Sequence, residues 1–250
     1  MWTHERQARI IEMLGQNRKV STVDLARAFA VSRETIRRDL MEMEQRGQAS
    51  RVHGGAVSIM QAEPEASFAQ RLELFAEQKQ AIGQKALEIV PRGATCFIDA
   101  GTTTRAFARA LAARGEIRVL TNSIEIAQIM AQGQDCETLL LGGKPHRDVP
   151  ATFGELTISQ IDRFLADFAV ISPVGVHSER GLTDYELHEA EVARAMLRRA
   201  TTRVALCHSA KIGVESRVSI CRIDELDHLI TDRTDKSMLL ISARAKLHLV

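Results

Sequence analysis

The stretch from Val20 to Asp39, VSTVDLARAFAVSRETIRRD, decides how the chain begins to fold. It contains two short amphipathic segments, and the second starts at Ser32, a residue type that caps helix N-termini. The two segments are separated by roughly three residues, which is the spacing of a helix-turn-helix unit. Such a unit inserts its second helix into the major groove of DNA. The stretch therefore predicts a DNA-binding element whose reading helix begins at Ser32.

The face of this second helix that does not carry Ile36 and Leu40 is rich in arginine. Arginine forms paired hydrogen bonds with guanine edges, whereas hydroxyls and helix-start amides contact phosphate oxygens. An ordinary three-helix bundle with a solvated charged face is the alternative, but a capping serine, the turn spacing and an arginine pair coincide here. The expected DNA-binding residues are Ser21, Thr22, Ser32, Arg33, Glu34, Thr35, Arg37, Arg38, Arg51 and His53.

The residues around this unit predict a winged variant of the motif. An apolar stripe that includes Ile10 and Leu14 indicates a preceding helix, and two strand-like runs flank the His-Gly-Gly sequence at 53–55. A Gly-Gly pair between two such runs is typical of a hairpin. Arg51 would lie on this wing, beside the DNA backbone. Because Asp39 would repel phosphate, we expect it to form a structural hydrogen bond or salt bridge.

The composition is that of an ordinary globular protein, with 45% hydrophobic and 26% charged residues. No run approaches the roughly 18–20 apolar residues of a membrane helix, and the N-terminus lacks a secretory layout. We therefore expect a cytoplasmic protein with no membrane partner. The formal charge is +1, and residues 1–60 hold ten Arg and Lys against seven Asp and Glu, which is weak support for a nucleic-acid partner. The four cysteines form no CxxC pair or Cys/His cluster, so neither a metal nor a cofactor is expected.

Residues 91–250 alternate short β runs with helical segments. The β runs lie at 95–99, 118–120, 138–141, 168–172, 203–206 and 228–230, and the helices at 104–113, 123–132, 155–164, 187–200 and 236–246. This alternation predicts a Rossmann-like α/β domain, a parallel sheet covered by helices on both faces. The predicted division is a winged helix-turn-helix domain at 1–58, a linker and connecting helix at 59–90, and an α/β effector-sensing domain at 91–250. The helix of the connector is expected to run from 68 to 90.

Polar loops follow several of these β runs. The sequence DAGTTT at 99–104 ends one run and opens a helix, and comparable loops lie at 121–123, 142–144 and 208–211. Ligands of open parallel sheets bind outside the carboxyl ends of the strands. Hydroxyls, helix-start amides and one lysine would converge at that edge, which suits a phosphorylated small molecule.

A further pattern consists of Arg6, Ile10 and Leu14, the run TIRRDL at 35–40 and the run RVHGGA at 51–56. Through this pattern the first quarter of the chain resembles the DNA-binding domain of the DeoR-type bacterial transcriptional regulators. The rest of the chain is similar to the sensor domain of the same family in four stretches: FIDAGTTTRAFARAL, VLTNSIEIA, LLLGGK and the sequence Glu-Ala-Glu at 189–191. Together the two resemblances cover nearly the whole chain.

The resemblance implies a sensor fold like that of ribose-5-phosphate isomerases, glucosamine-6-phosphate deaminases and CoA transferases, and a sugar-phosphate or related effector. The matched positions imply an effector pocket formed by Asp99, Gly101, Thr102, Thr103, Thr121, Asn122, Gly143, Glu189 and Lys211. Two loops depart from the family pattern. The sequence CHSAKIG at 207–213 puts His208 where the family usually has an aspartate, which predicts a charge that changes near neutral pH. Ser-Pro-Val-Gly at 172–175 replaces a glycine-first loop, so the identity of the effector stays open.

The predicted function is a ligand-responsive transcription factor without enzymatic activity, a repressor of a carbohydrate or polyol catabolism operon. It would bind double-stranded operator DNA as a homo-oligomer, a dimer or tetramer, and be relieved by a phosphorylated metabolite. The resemblance alone implies a repressor rather than an activator. The alternative is a sugar-phosphate isomerase or deaminase with an added DNA-binding arm, in which Asp99, Glu189 and Lys211 act as acid, base and anchor. An RNA-binding or structural module is a third possibility, which the helix-turn-helix pattern disfavours.

Overall fold

The computed structural model describes residues 2–17, 19–46, 48–52, 54–57, 66–232 and 245–250. The chain divides into two compact units, Met1–Glu65 and Ala66–Val250, each with its own hydrophobic core. The helical part of the predicted connector belongs to the second unit. Among the described residues, no helix is both long enough and apolar enough to span a membrane.

The N-terminal unit is a winged helix-turn-helix, as the sequence predicts. Its elements are α1 (Thr3–Asn17), β1 (Lys19–Ser21), α2 (Thr22–Phe29), α3 (Arg33–Gln45), β2 (Ser50–Val52) and β3 (Gly55–Val57). The three strands form one antiparallel sheet in the order β1-β3-β2. One apolar side chain or more from each helix enters a common core that includes Ile10, Leu14, Leu25, Ile36, Leu40 and Met43.

Two serine caps set where the helices of the motif begin. The Ser21 hydroxyl accepts a hydrogen bond from the Val23 amide at 3.2 Å, and the Ser32 hydroxyl accepts one from the Thr35 amide at 3.0 Å. Each cap satisfies an amide that would otherwise lack a partner at a helix start. Between the helices, Ala30 adopts a left-handed conformation with φ of 52°, which reverses the chain. The motif is therefore built by local hydrogen bonds that the sequence displays directly.

A buried ion pair joins the first helix to the third. Arg6 Nε and Nη2 donate to the two carboxylate oxygens of Asp39 at 2.5 and 2.9 Å, and both residues are at most 5% exposed. Paired hydrogen bonds of this kind have the geometry that a guanidinium and a carboxylate prefer. The structural role predicted for Asp39 is confirmed.

The second unit is built on a seven-stranded sheet, counted over the described residues, in which every pair of neighbours is parallel. The sheet order is β15-β14-β12-β9-β4-β5-β6. The strands are β4 (Thr95–Ile98), β5 (Ile117–Thr121), β6 (Cys136–Leu140), β9 (Ala166–Ile171), β12 (Ala200–Leu206), β14 (His228–Thr231) and β15 (Lys246–Leu249). All six predicted β runs lie in this sheet.

Helices cover both faces of the sheet and divide its core in two. The α-helices among the described residues of this unit are α4 (Phe68–Glu73), α5 (Ala76–Ala86), α6 (Thr102–Arg114), α7 (Ile124–Met130), α8 (Glu155–Ile161) and α9 (Leu187–Arg198). On one face, Ile82, Phe107 and Met130 from α5, α6 and α7 pack over the strands, and on the other face Ile161 and Met196 from α8 and α9 do so. The predicted doubly covered parallel sheet is confirmed.

Short antiparallel strands complete the unit. They are β7 (Lys144–Pro145), β8 (Thr152–Phe153), β10 (Gly175–His177), β11 (Gly181–Asp184) and β13 (Val218–Cys221). β7 pairs with β8, and β10, β11 and β13 form a three-stranded sheet. The segment after Ser172, which the sequence presents as a loop, is therefore a hairpin.

The single helix predicted from 68 to 90 is wrong. The chain forms α4 and α5 instead, because Phe75 takes a left-handed conformation with φ of 56° and interrupts the helical hydrogen bonds. The Phe75 ring stacks on His208 at a centroid distance of 4.3 Å. This tertiary contact accompanies a backbone conformation that a β-carbon disfavours, which apolar periodicity does not report.

The helix predicted at 236–246 is wrong at its end. Lys246 begins strand β15, which pairs in parallel with β14 at the edge of the sheet. Residues 236–244 of that prediction, and His53 of the wing, lie outside the described residues. So does most of the segment predicted as a linker.

Candidate DNA-binding surface and effector cleft

Helix α3 separates its apolar and charged residues onto two faces. Ile36 and Leu40 are buried, and Asp39 lies with them in its ion pair with Arg6. The predicted contact residues on the other face, Arg33, Glu34, Arg37 and Arg38, are exposed. Arg37 Nη1 lies 3.5 Å from Glu34 Oε2, and both side chains are more than 60% exposed. An exposed pair of this kind holds a side chain weakly, so Arg37 is available to DNA.

A concave surface beside α3 includes two of the remaining predicted contacts, Thr22 and Arg51. Thr22, Arg33, Arg37 and Arg51 line it together with the tip of the wing. The Arg51 amide donates to Glu44 Oε1 at 3.0 Å, which ties the wing to α3. Thr22 is buried, Ser21 is half-buried, and Ser32 and Thr35 share a hydroxyl hydrogen bond of 2.8 Å. This unit thus presents three arginines around one groove.

A cleft opens at the carboxyl ends of the central strands in the second unit. Six of the nine predicted effector residues line it: Asp99, Gly101, Thr102, Asn122, Glu189 and Lys211. They come from four separate segments of the chain, at residues 99–102, 122, 189 and 211, which the fold brings to one edge of the sheet. The sequence-based placement of a ligand site at this edge agrees with the position of the cleft.

The turn after β4 forms the floor of the cleft. The Gly101 amide donates to Thr104 Oγ1 at 2.9 Å, and the hydroxyl of Thr104 lies 3.0 Å from the carbonyl oxygen of Asp99. A β-carbon on Gly101 would lie 2.9 Å from the Ser172 β-carbon, so only glycine lets these two loops approach so closely. The start of α6, with its positive dipole end, therefore faces the cleft.

Asp99 carries the main electrostatic feature of this floor. Its Oδ2 accepts a hydrogen bond from the Ser172 amide at 2.8 Å, whereas its Oδ1 is buried and has no hydrogen-bond partner among the described residues. Burial raises the pKa of Asp99 from 3.8 to about 6, although the Ser172 and Thr104 hydrogen bonds oppose that shift. An oxygen in this position suits a ligand hydroxyl, which would satisfy it.

Lys211 and His208 flank the opposite wall. Lys211 Nζ donates to the Pro173 carbonyl oxygen at 2.6 Å and lines the cleft. His208 is buried beneath Phe75, and burial, with the nearby Lys211 and Lys79 charges, lowers its pKa from 6.5 to about 4. The expectation that His208 changes charge near neutral pH is therefore wrong. Its ring is neutral at pH 7 because the surrounding protein excludes the water that would stabilise the cation.

Three predicted effector residues do not line the cleft: Thr103 in α6, Thr121 at the end of β5 and Gly143 in the loop after β6. Thr103 and Thr121 are fully buried, and Thr121 Oγ1 accepts a hydrogen bond from the Ser123 amide at 3.0 Å. Gly143 has a φ of 152°, and a β-carbon there would lie 2.2 Å from Thr157 Oγ1. Gly143 therefore permits close packing of the loop after β6.

The structure adds several cleft residues that the sequence analysis did not name as effector contacts. They are Arg71, His146, Thr152, Phe153, Ser172, Asp184 and His188. Ser172 ends a predicted β run, and this position could have identified it. Arg71 lies on α4, which has no sequence link to the sheet edge. Only the tertiary fold brings these residues together.

His146, His188 and Glu189 bring ring nitrogens and a carboxylate oxygen within 4.8 Å of one another. Three ligand atoms at this spacing could hold a metal ion. However, His146 Nδ1 accepts hydrogen bonds from the Asp148 and Val149 amides at 3.1 and 3.0 Å. Because Nδ1 accepts these hydrogen bonds, Nε2 carries the proton of the ring, so this nitrogen, 3.5 Å from Glu189 Oε1, has no lone pair for a metal ion.

Comparison with known families matches both units of the chain. Residues 6–62 match the DeoR-like helix-turn-helix domain, and residues 74–233 match the DeoR C-terminal sensor domain. The chain belongs to the DeoR family of transcriptional regulators. Within this DeoR-family chain, the concave arginine surface lies in the helix-turn-helix match and almost all of the cleft lies in the sensor match.

Several transcriptional regulators and repressors align with this chain along almost their whole length. The HTH-type transcriptional regulator GolR of Listeria innocua is 34% identical over 93% of this chain and 91% of its own. The transcriptional repressor GlcR of Bacillus subtilis is 33% identical, covering 93% and 90%, and the glycerol-3-phosphate regulon repressor of Escherichia coli is 32% identical, covering 91% and 90%. The sorbitol operon regulator SorC of Klebsiella pneumoniae aligns over 94% of this chain and 97% of its own, at 14% identity and a TM-score of 0.42.

Proposed function

We propose that this DeoR-family regulator represses genes of carbohydrate or polyol catabolism and releases operator DNA when a phosphorylated metabolite occupies its cleft. The repressor names of its relatives support the direction of control. As a repressor with a winged helix-turn-helix, it would bind half-sites as a dimer or tetramer. The two partners of the proposed mechanism are double-stranded DNA at α3 and a small anion at the cleft.

The composition of the cleft carries the effector proposal. Asp99 Oδ1, Asn122 Oδ1, Ser172 Oγ and His188 Nε2 are buried there without hydrogen-bond partners among the described residues. Buried polar atoms are nearly always satisfied, so this group calls for a ligand with several hydroxyls. Two permanent cations also line the cleft, which suits a phosphate group. A phosphorylated sugar or polyol supplies both.

We assign no catalytic step to Asp99, Glu189 or Lys211, although all three line the cleft. The relatives are named as regulators and repressors. Incubating the pure protein with ribose 5-phosphate and with glucosamine 6-phosphate tests this part. Turnover that is lost in an Asp99→Asn variant would establish the enzyme instead.

Arg37→Ala is expected to weaken binding to the preferred operator by about 1–3 kcal/mol, or roughly 5- to 150-fold, because a base-reading arginine is lost. The operator is first selected from random duplexes with the wild-type protein. Affinities for the selected and for a scrambled duplex are then measured by fluorescence anisotropy at fixed salt. Arg46→Ala, at the far end of α3, is the matched control and should change binding little. An equal loss on both duplexes would make Arg37 a phosphate contact.

Lys211→Ala is expected to leave operator binding intact and to abolish release by phosphorylated compounds. The substitution removes one of the two positively charged side chains, Arg71 and Lys211, that line the cleft among the described residues, and it leaves the sequence of α3 unchanged. Thermal-shift screening of phosphorylated sugars and polyols identifies the strongest binder, which is then titrated into the protein–DNA complex. We expect no release of the variant at concentrations up to at least ten times the one that half-releases the wild-type complex. Lys144→Ala, an exposed lysine outside the cleft, is the control. Unchanged release by the Lys211 variant would remove Lys211 from the site.

A further inference from the structure

The cleft has few permanent cations for a site proposed to bind an anion. Among the described lining residues, Arg71 and Lys211 are the only arginine and lysine, whereas Asp99, Asp184 and Glu189 bring three carboxyl groups. Lys211 already donates to the Pro173 carbonyl oxygen and lies close enough to Asp99 to influence its ionisation. A phosphate group on the ligand therefore needs Arg71 as well, because one committed lysine does not balance the carboxylates.

Arg71 differs from the other cleft residues in the element that carries it. It lies on α4, the first helix after the N-terminal unit in the chain, whereas the others lie between residues 99 and 211, on the loops, short strands and helices around the parallel sheet. Its guanidinium carbon lies 5.6 Å from the centroid of the Phe68 ring on the same helix, so the two side chains face the same side. A ligand that contacts this guanidinium is thereby in contact with α4.

α4 is attached to the cleft at both of its ends. At the start, the Phe68 amide donates to Asp148 Oδ2 at 2.8 Å, and the Phe68 ring is buried against Val149 and Ala151. Ala151 itself lines the cleft. The helix rests there on the loop that presents His146.

Beyond the end of α4, Phe75 stacks on His208, which directly precedes the turn that carries Lys211. In addition, Lys79 Nζ donates to the Arg71 carbonyl oxygen. α4 thus spans two cleft-forming loops, and Arg71 lies between the two attachments.

We infer that Arg71 binds the anionic group of the effector and that α4 is the element through which occupancy of the cleft reaches the preceding chain. This inference rests on the proposed function, since it deepens the account of the same site. An anion held between Arg71 and Lys211 would bridge α4 to the edge of the sheet and restrict its motion. The empty cleft lacks that bridge, so the two states differ at the helix that follows the DNA-binding unit.

The test uses the full chain and four probes: inorganic phosphate, glycerol 3-phosphate, glucose 6-phosphate and fructose 6-phosphate. Calorimetry measures the dissociation constant of each, and hydrogen exchange measures protection of peptides covering 68–75 and 99–104. For the tightest-binding probe, Arg71→Gln should raise the dissociation constant about 10- to 100-fold. At saturation this variant should protect 99–104 but not 68–75. Arg71→Lys should recover part of the affinity, because it keeps the charge but not the paired donors.

Arg109→Gln is the control, because it removes an equally charged, exposed residue from α6 outside the cleft, and it should match the wild type. Equal affinity and equal protection of 68–75 in wild type and Arg71→Gln would overturn this inference and leave the proposed function standing. Failure of the wild type to bind any of the four probes would overturn both. Weaker binding by Arg71→Gln with unchanged protection of 68–75 would overturn the role of α4.

Discussion

Replacing Asp39 by alanine should destabilise the N-terminal unit by about 3–5 kcal/mol. The substitution leaves the Arg6 guanidinium buried without the carboxylate that accepts two of its hydrogen bonds. A small domain has a net stability of about 5–15 kcal/mol or less, so much of this unit's stability would be lost. Hydrogen exchange of the α3 amides measures the change, because it reports this unit separately from the α/β unit.

The double variant Arg6→Met, Asp39→Ala provides the control for this prediction. It removes both charges and fills much of the arginine volume, so it should be more stable than Asp39→Ala alone. Operator binding should follow stability: weak in the single variant at 37 °C and partly recovered in the double one. If both variants were equally destabilised, lost packing rather than an uncompensated charge would be the cause.

The second large effect concerns how the stability of the α/β unit depends on pH, which Asp99 and His208 influence in opposite directions. Burial raises the pKa of Asp99 from 3.8 to about 6, so the folded state holds its proton more tightly. The corresponding stabilisation is complete below pH 3.8 and is lost as the pH rises through 6. For His208 the pKa falls from 6.5 to about 4, so its contribution is complete above pH 6.5 and is lost as the pH falls through 4.

In the wild type these two contributions offset each other between pH 4 and 6.5, and each variant removes one of them. Asp99→Asn should make the unit more stable as the pH rises across that range, by about 2–3 kcal/mol relative to the wild-type trend. His208→Gln should make the unit less stable as the pH rises across that range, by a similar amount relative to the wild-type trend. Urea unfolding followed by circular dichroism at four pH values measures both slopes. Parallel slopes for the wild type and both variants would refute the two assignments.

The helix-turn-helix was predictable because its determinants are local. The Ser21 and Ser32 caps, the apolar spacing through Ile36 and Leu40 and the short turn all act within a few residues. The β runs of the α/β unit were predictable for a related reason, since buried parallel strands are short apolar segments. Their order in the sheet was not, because pairing partners such as β4 and β9 lie far apart in the chain.

The connector shows where local patterns stop being informative. Apolar residues recur at helical spacing through residues 68–90, yet the helix breaks at Phe75. Two contacts accompany the break: the Phe75 ring stacks on His208, and Lys79 donates a hydrogen bond to the Arg71 carbonyl oxygen. His208 lies more than 130 residues from Phe75 in the chain. No window along the sequence contains that partner.

Residue chemistry and short-range spacing in the chain were sufficient to determine the DNA-reading helix, the parallel α/β unit and the sheet edge where a ligand would bind. The tertiary structure alone decided which side chains meet there: it added Arg71, His146 and His188 to the cleft and buried Thr103 and Thr121. It also made His208 neutral. The physical reason is that capping and periodicity act over a few residues, whereas burial, ionisation and convergence depend on packing between distant parts of the chain.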